Sequence, residues 1–148
     1  MKIGFGSDHG GFLLKAKLIA LAKELGHETV DFGTNTPDSV DYPDFVSPVA
    51  IGVSKGELDR GVVLCNTGIG ASITANKAKG VRCALCSEPL SARLTREHND
   101  TNMLAMGACM IGDSMAEDIL RVWLTTPFSG GDRHCRRLQK LKDYEARQ

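Results

Sequence analysis

Between Gly61 and Lys77 the chain reads GVVLCNTGIGASITANK, and no other stretch restricts the fold as tightly. Val62-Val63-Leu64 is a short apolar run that stops at Cys65. Asn66, Thr67, Gly68 and Gly70 then form a turn-rich break, after which the residues take helical spacing. A buried strand passing through a glycine-rich turn into a helix start satisfies this pattern. Glycines let bare N–H groups face a ligand, and a helix start is electropositive, so an anion or a developing oxyanion is favoured there. Such a field also favours thiolate over thiol, the form that serves as base or nucleophile. The same residues equally suit a tight turn above an inert core cysteine.

Strand–helix alternation continues on both sides of this segment. Lys2 to Gly6 reads as a first strand, followed by Ser7-Asp8-His9-Gly10-Gly11 and a helix over about 12–25, with Gly26 as its stop. Glu28 to Phe32 is a second strand and 33–41 a turn-rich loop. Tyr42-Pro43-Asp44 opens a helix to about Lys55, with proline at a tolerated early position. The third strand, 61–65, feeds a helix over about 70–78. A fourth strand is expected at 81–86, and its helix, capped near Ser87, runs to about Glu97. A fifth strand covers 102–105, a helix follows from 113 or 114 to about 124, and a basic helix starts near Arg133.

Five strands alternating with helices predict one α/β domain over 1–148, with three layers and a mostly parallel sheet. Right-handed crossovers leave few topologies, and such sheets bind ligands outside the carboxyl ends of their strands where strand order reverses. An order beginning 2-1-3 would bring Asp8 and His9 into one cleft with Cys65 and Thr67.

Lys plus Arg and Asp plus Glu are 18 each, a net charge of zero with histidine neutral. That argues against a nucleic-acid or anionic-membrane binder. No long apolar span is present, and MKIGFGSDHGG lacks a signal-peptide core, so a cytoplasmic location is expected. Five irregularly spaced cysteines do not suit a disulfide framework. Cys83 and Cys86 spell CxxC, but on a strand positions three apart face opposite sides, against a redox or metal role.

Other residue groups offer chemistry with blander alternatives beside it. Asp8 and His9 follow a strand in a glycine-flanked turn. His98 and Asn99 end the fourth helix on an expected loop; they can be an acid/base pair of groups or ordinary helix-end residues. Arg133 and Arg137 share a helix face by their spacing and can fork onto phosphate, or form a solvated basic face.

GSDHGG, DYPD, CNTGIGASITANK, GVRCALC, REHNDTNMLAMG and GG-D-RH-x-x-R occur in this order along nearly the whole chain. Together they resemble the ribose-5-phosphate isomerase B family, which also holds allose-6-phosphate and galactose-6-phosphate isomerases. The resemblance implies a Rossmann-like α/β/α fold, a homodimer (or tetramer) with active sites at the subunit interface, and aldose–ketose isomerisation of a sugar phosphate without cofactor or metal. Cys65 matches the family's general base, Thr67 the hydroxyl that assists proton movement, and His98 the group that opens the sugar ring. Backbone N–H groups from Asn66 through Gly68 to Gly70 match an oxyanion hole. Asp8, Tyr42 and Asn99 match sugar contacts; His9, Arg133 and Arg137 match phosphate contacts. Cys109 stands where many members carry a phosphate-binding arginine, and Asp132 is inserted between Gly-Gly and Arg-His. The competing expectation is a non-catalytic phosphometabolite-binding module, suggested by the glycine-rich turn together with the missing positive charge, although the turn lacks the Lys-Ser/Thr ending of a P-loop.

Overall fold

The computed structural model describes residues 1–148. Its elements are β1 (Lys2–Ser7), α1 (Phe12–Glu24), β2 (Glu28–Asp31), α2 (Tyr42–Ser54), β3 (Arg60–Cys65) and α3 (Ile69–Ala75). There follow β4 (Cys83–Leu85), α4 (Pro89–Asn99), β5 (Met103–Gly107), α5 (Asp113–Thr125) and α6 (Asp132–Glu145). The sheet has the order β2-β1-β3-β5-β4, and every pairing is parallel. This is the expected Rossmann-like α/β architecture, and the order begins 2-1-3 as the cleft argument requires.

Alternation along the strands divides the core into two layers, because successive side chains leave a strand on opposite faces. Ile3, Phe5, Val62, Leu64, Leu104 and Met106 pack under α1, α4 and α5. Val63, Cys65, Met103 and Ala105 pack under α2 and α3. On the second face β1 carries glycines where a side chain would collide: a Cβ at Gly6 would lie 2.2 Å from the Phe45 carbonyl oxygen. Helix α2 therefore lies close to β1, and its first residue, Tyr42, starts at the carboxyl edge of the sheet. No helix is long and apolar enough to cross a membrane.

Several boundaries differ from the sequence reading for identifiable reasons. Strand β4 keeps only 83–85 of 81–86, because Gly80 at φ +77° turns the chain and the Val81 N–H closes that turn onto Ala78. Helix α3 ends at Ala75 rather than 78, where the Asn76 side chain ties the helix end to β4: its amide bonds the Ser72 carbonyl and both the N–H and the carbonyl of Cys83. The cap of α4 is Glu88 instead of Ser87; its carboxylate accepts the N–H groups of Leu90 and Ser91. Helix α6 begins one residue early, at Asp132, where an acid in the first turn suits the helix dipole.

Candidate active site at opposite edges of the sheet

Register places Cys65 at the last position of β3, opposite Gly107 of β5, with Ser7 of β1 one step earlier against Leu64. The turn after Cys65 is then held through its peptides. The Cys65 carbonyl accepts the Ala108 N–H at 3.0 Å and the Asn66 carbonyl accepts the Cys109 N–H at 2.9 Å. A trans peptide points its N–H opposite to its carbonyl, so the Asn66 and Thr67 N–H groups face away from β5. Neither they nor the Gly70 N–H has an acceptor within the chain.

The Gly68 N–H is the exception to the expected oxyanion hole. It donates to Cys65 Sγ, 3.1 Å away, within the chain itself. Gly68 sits at φ +76°, and a Cβ there would stand 2.5 Å from Leu85 and 2.7 Å from the Met106 carbonyl carbon. Only glycine closes this turn without displacing β5. Cys65 itself is 5% exposed, so the donor to its sulfur is shielded from competing water.

The β1–α1 turn reaches the same place, as the sheet order requires. A Cβ at Gly10 would lie 3.3 Å from the Asn66 nitrogen, which measures how closely the two turns abut. Asp8, buried, accepts the N–H groups of Gly10 at 2.9 Å and Gly11 at 3.2 Å and so shapes that turn. His9 is exposed, and its Nδ1 accepts the Val40 N–H at 3.2 Å, which leaves Nε2 as its outward nitrogen. Tyr42 lays its ring over the glycine turn: a Cβ at Gly70 would be 2.6 Å from the ring. Asp8, His9, Tyr42, Cys65, Asn66, Thr67, Gly68 and Gly70 thus surround one cleft.

His98, Asn99, Arg133 and Arg137 do not join them. In a parallel sheet the following helix runs back, and the 11 residues of α4 cover about 16 Å in that direction. Its end lies where β3, β4 and β5 start: Asn102 accepts the Gly61 N–H on its carbonyl and the Arg82 N–H on its side chain. His98 and Asn99 lie within the last turn of α4 rather than on the expected loop. Helix α6 is anchored beside them. Ser129 donates both its N–H and its hydroxyl to the Glu97 carbonyl, and the rings of His98 and His134 stack at 4.5 Å with 8° between planes. Arg133 and Arg137 are exposed on α6 and belong to none of the chain's ion pairs.

His134 is the functional-looking group that residue-by-residue reading passed over. It is the one buried residue of α6, and Arg133 Nε donates to its Nε2 at 3.3 Å. Burial first, then the positive charges of His98, Arg133 and Arg137, push its pKa below the usual imidazole value. The spacing of His134, Leu138 and Leu141 marks the one less polar stripe of an otherwise charged helix, buried only at His134, and is the signal that finds it. Beneath that face lies a cavity of about 790 Å³, lined by Arg82, Asn99, Leu138, Leu141 and Lys142 among others. No residue of the Cys65 cleft lines it.

The sequence profile described as Ribose/Galactose Isomerase matches residues 3–141. The chain belongs to this family. Ribose-5-phosphate isomerase B of Escherichia coli K12 is 46% identical over 146 residues, 99% of this chain and 97% of that protein. The solved Clostridium thermocellum ribose-5-phosphate isomerase B superposes with a TM-score of 0.96 at 50% identity, over 99% of both chains. The Mycoplasma genitalium ribose-5-phosphate isomerase B, solved with bound ribulose-5-phosphate, gives 0.95 at 38% identity, over 99% of this chain and 97% of that one.

Cys109 is exposed, and its thiol donates to Asn66 Oδ1 while its N–H holds the Asn66 carbonyl. Cys83 and Cys86 face different core layers, as the strand argument predicts. Desolvation first, then the neighbouring thiol for Cys83 and Glu88 for Cys86, push their pKa values up to about 12 and about 11. No three His, Cys, Asp or Glu side chains converge in a set able to hold a metal.

Proposed function

We propose that the chain is an aldose–ketose isomerase that interconverts ribose 5-phosphate and ribulose 5-phosphate at a site shared by two copies. The observation that carries this reading is the Gly68 N–H aimed at Cys65 Sγ at 3.1 Å, with unpaired N–H groups of Asn66, Thr67 and Gly70 alongside. A proton next to a carbonyl is acidic only when the developing enediolate is stabilised, and preorganised backbone donors do this without reorganisation. Cys65 as thiolate takes the C2 proton of the open-chain sugar and returns it to C1. Thr67 passes the proton between O1 and O2, and Asp8 and Tyr42 hold the sugar. The reaction oxidises C2 and reduces C1 within one molecule, so it balances without an external electron carrier.

Ring opening needs an acid/base group at O4 and O1, and we assign it to His98, with Asn99 beside it and His9, Arg133 and Arg137 on the phosphate. His98 cannot reach Cys65 of its own chain across the depth of the sheet, so the two come from different copies in a homodimer. The exposed apolar side chains around the Cys65 turn support a covered face: Ile69 and Ile73 on α3, Leu85, and Met110 are each more than 40% exposed. Free cysteines throughout suit a reducing compartment, and we place the protein in the cytoplasm.

The test is NMR of the purified protein in deuterated water with ribose 5-phosphate and, in parallel, allose 6-phosphate. Deuterium entering the ketose derived from ribose 5-phosphate supports the reading. Exchange with allose 6-phosphate alone favours the six-carbon alternative, which Cys109 in place of a phosphate-binding arginine makes specific. Exchange with neither, from folded protein, favours a phosphometabolite-binding module and refutes catalysis of these sugars.

A further inference from the structure

We propose that Asp100, clamped by Arg82 and Arg96, is a positioning residue that locks the last turn of α4 and so presents His98 for ring opening; this rests on the role given to His98 above. Asp100 caps α4 in the left-handed conformation, φ 45° and ψ 48°, the one residue other than glycine with positive φ. Its carboxylate is divided between two arginines. Oδ1 accepts Arg96 Nη1 at 2.8 Å and Oδ2 accepts Arg82 Nη2 at 3.2 Å.

Each guanidinium also grips the backbone of the turn. Arg82 Nε lies 3.1 Å from the carbonyls of both Asn99 and Asp100, and Nη2 reaches the Asp100 carbonyl at 2.7 Å. Arg96, buried, gives Nη1 to the Thr101 carbonyl at 2.6 Å and Nε to the Thr126 carbonyl at 3.3 Å. The Thr101 hydroxyl accepts the buried indole N–H of Trp123 at 2.9 Å. The turn is therefore fastened to the residue that precedes β4, to α4 itself and to α5.

Two physical costs single out the carboxylate. A left-handed helix cap is easiest for glycine or asparagine, and an anion at a helix C-terminus opposes the dipole. A cap alone would be cheaper as glycine. What aspartate adds is a bridge between two arginines that hold the carbonyls of Asn99, Asp100 and Thr101. Without it Arg82 and Arg96 would repel each other, with Arg60 close enough for its pKa to be lowered, after desolvation, by the Arg96 charge. The peptide after Asn99 is thereby fixed, and the ring of His98 is seated on His134. Backbone and ring of the ring-opening histidine are held independently.

The experiment compares Asp100→Gly, which keeps the left-handed backbone free of strain, with Asp100→Asn, which retains an acceptor oxygen. Two reactions are measured. Turnover of ribose 5-phosphate begins from a closed furanose. Exchange of the C1 proton of ribulose 5-phosphate in deuterated water does not, because the esterified C5 oxygen cannot close a ring. Asp100→Gly is expected to lower kcat/KM for ribose 5-phosphate about tenfold while C1 exchange stays within about twofold, with Asp100→Asn between it and the parent. Amide hydrogen exchange at 97–101 is expected to rise in Asp100→Gly and in Arg82→Met.

Equal loss in both reactions would show a merely structural role and overturn the proposal. So would unchanged turnover, or unchanged hydrogen exchange in that turn. His98→Asn serves as the reference. If it splits the two reactions and Asp100→Gly does not, the clamp fails and the assignment of His98 stands. If His98→Asn slows both alike, the ring-opening role is refuted and the proposal falls with it.

Discussion

At the carboxyl edge of the sheet the candidate groups are fixed by backbone, whereas at the amino edge they are fixed by side chains. Around Cys65 the peptides of 65 and 66 are pinned to β5, Gly68 admits no side chain, and Gly10 and Gly70 let the β1 turn and Tyr42 close in. Around His98 the fastening is an arginine–aspartate clamp and a stack of two imidazoles on helix ends. The difference matches the chemistry assigned to each end. Enediolate stabilisation needs donors that do not move, and peptide N–H groups at the end of a strand are the stiffest available. Ring opening and phosphate binding need charged or titratable groups with reach, which helix ends carry.

The comparison can be broken most sharply at Cys65. Cys65→Ala is expected to lower turnover at least ~100-fold with the melting temperature little changed. Near-normal turnover would remove the carboxyl edge from the chemistry. Gly68→Ala follows: positive φ and the crowding by Leu85 and Met106 should destabilise the fold by roughly 2–4 kcal/mol in denaturant titration. Arg133→Ala, on the side-chain-built edge, should stay within about 0.5 kcal/mol of the parent. Equal losses at both would erase the distinction between the edges.

Arg137→Ala should raise KM about tenfold and leave kcat near the parent value, since an unchanged phosphate is gripped alike in ground and transition states. A fall in kcat at constant KM would count against that contact. The smallest effect is at His134. Its folded pKa lies below the ordinary 6.5, so the unfolded chain binds that proton more readily and stability rises with pH. The contribution is complete above 6.5 and is lost as pH falls through the lowered folded value. His134→Phe should flatten the acid-side slope of melting temperature against pH; an unchanged slope would deny that His134 is held neutral.

Much of the carboxyl edge was legible because it follows from strand ends. Apolar runs stopping at Ser7 and Cys65, together with an order of 2-1-3, are enough to bring Asp8 beside Cys65. The donor role of Gly68 was not legible, since whether an N–H in a glycine turn faces a ligand or a sulfur depends on peptide orientation set by Ala108 and Cys109. Helix ends were misjudged by a residue or more wherever a side chain took over from backbone, as Asn76 and Glu88 do. At the amino edge the residue types were readable one by one, and their distance from Cys65 follows only from topology: as a crossover helix of the parallel sheet, α4 returns His98 to the far side.

In the proposed dimer one active site takes Cys65 from one copy and His98 from another. The direct measurement mixes Cys65→Ala with His98→Asn after partial denaturation and refolding, and assays ribose 5-phosphate isomerisation against each variant alone. Random pairing makes half the dimers mixed, each with one intact site of two, so about a quarter of the parent activity should return. Activity no higher than the sum of the two variants would contradict the account.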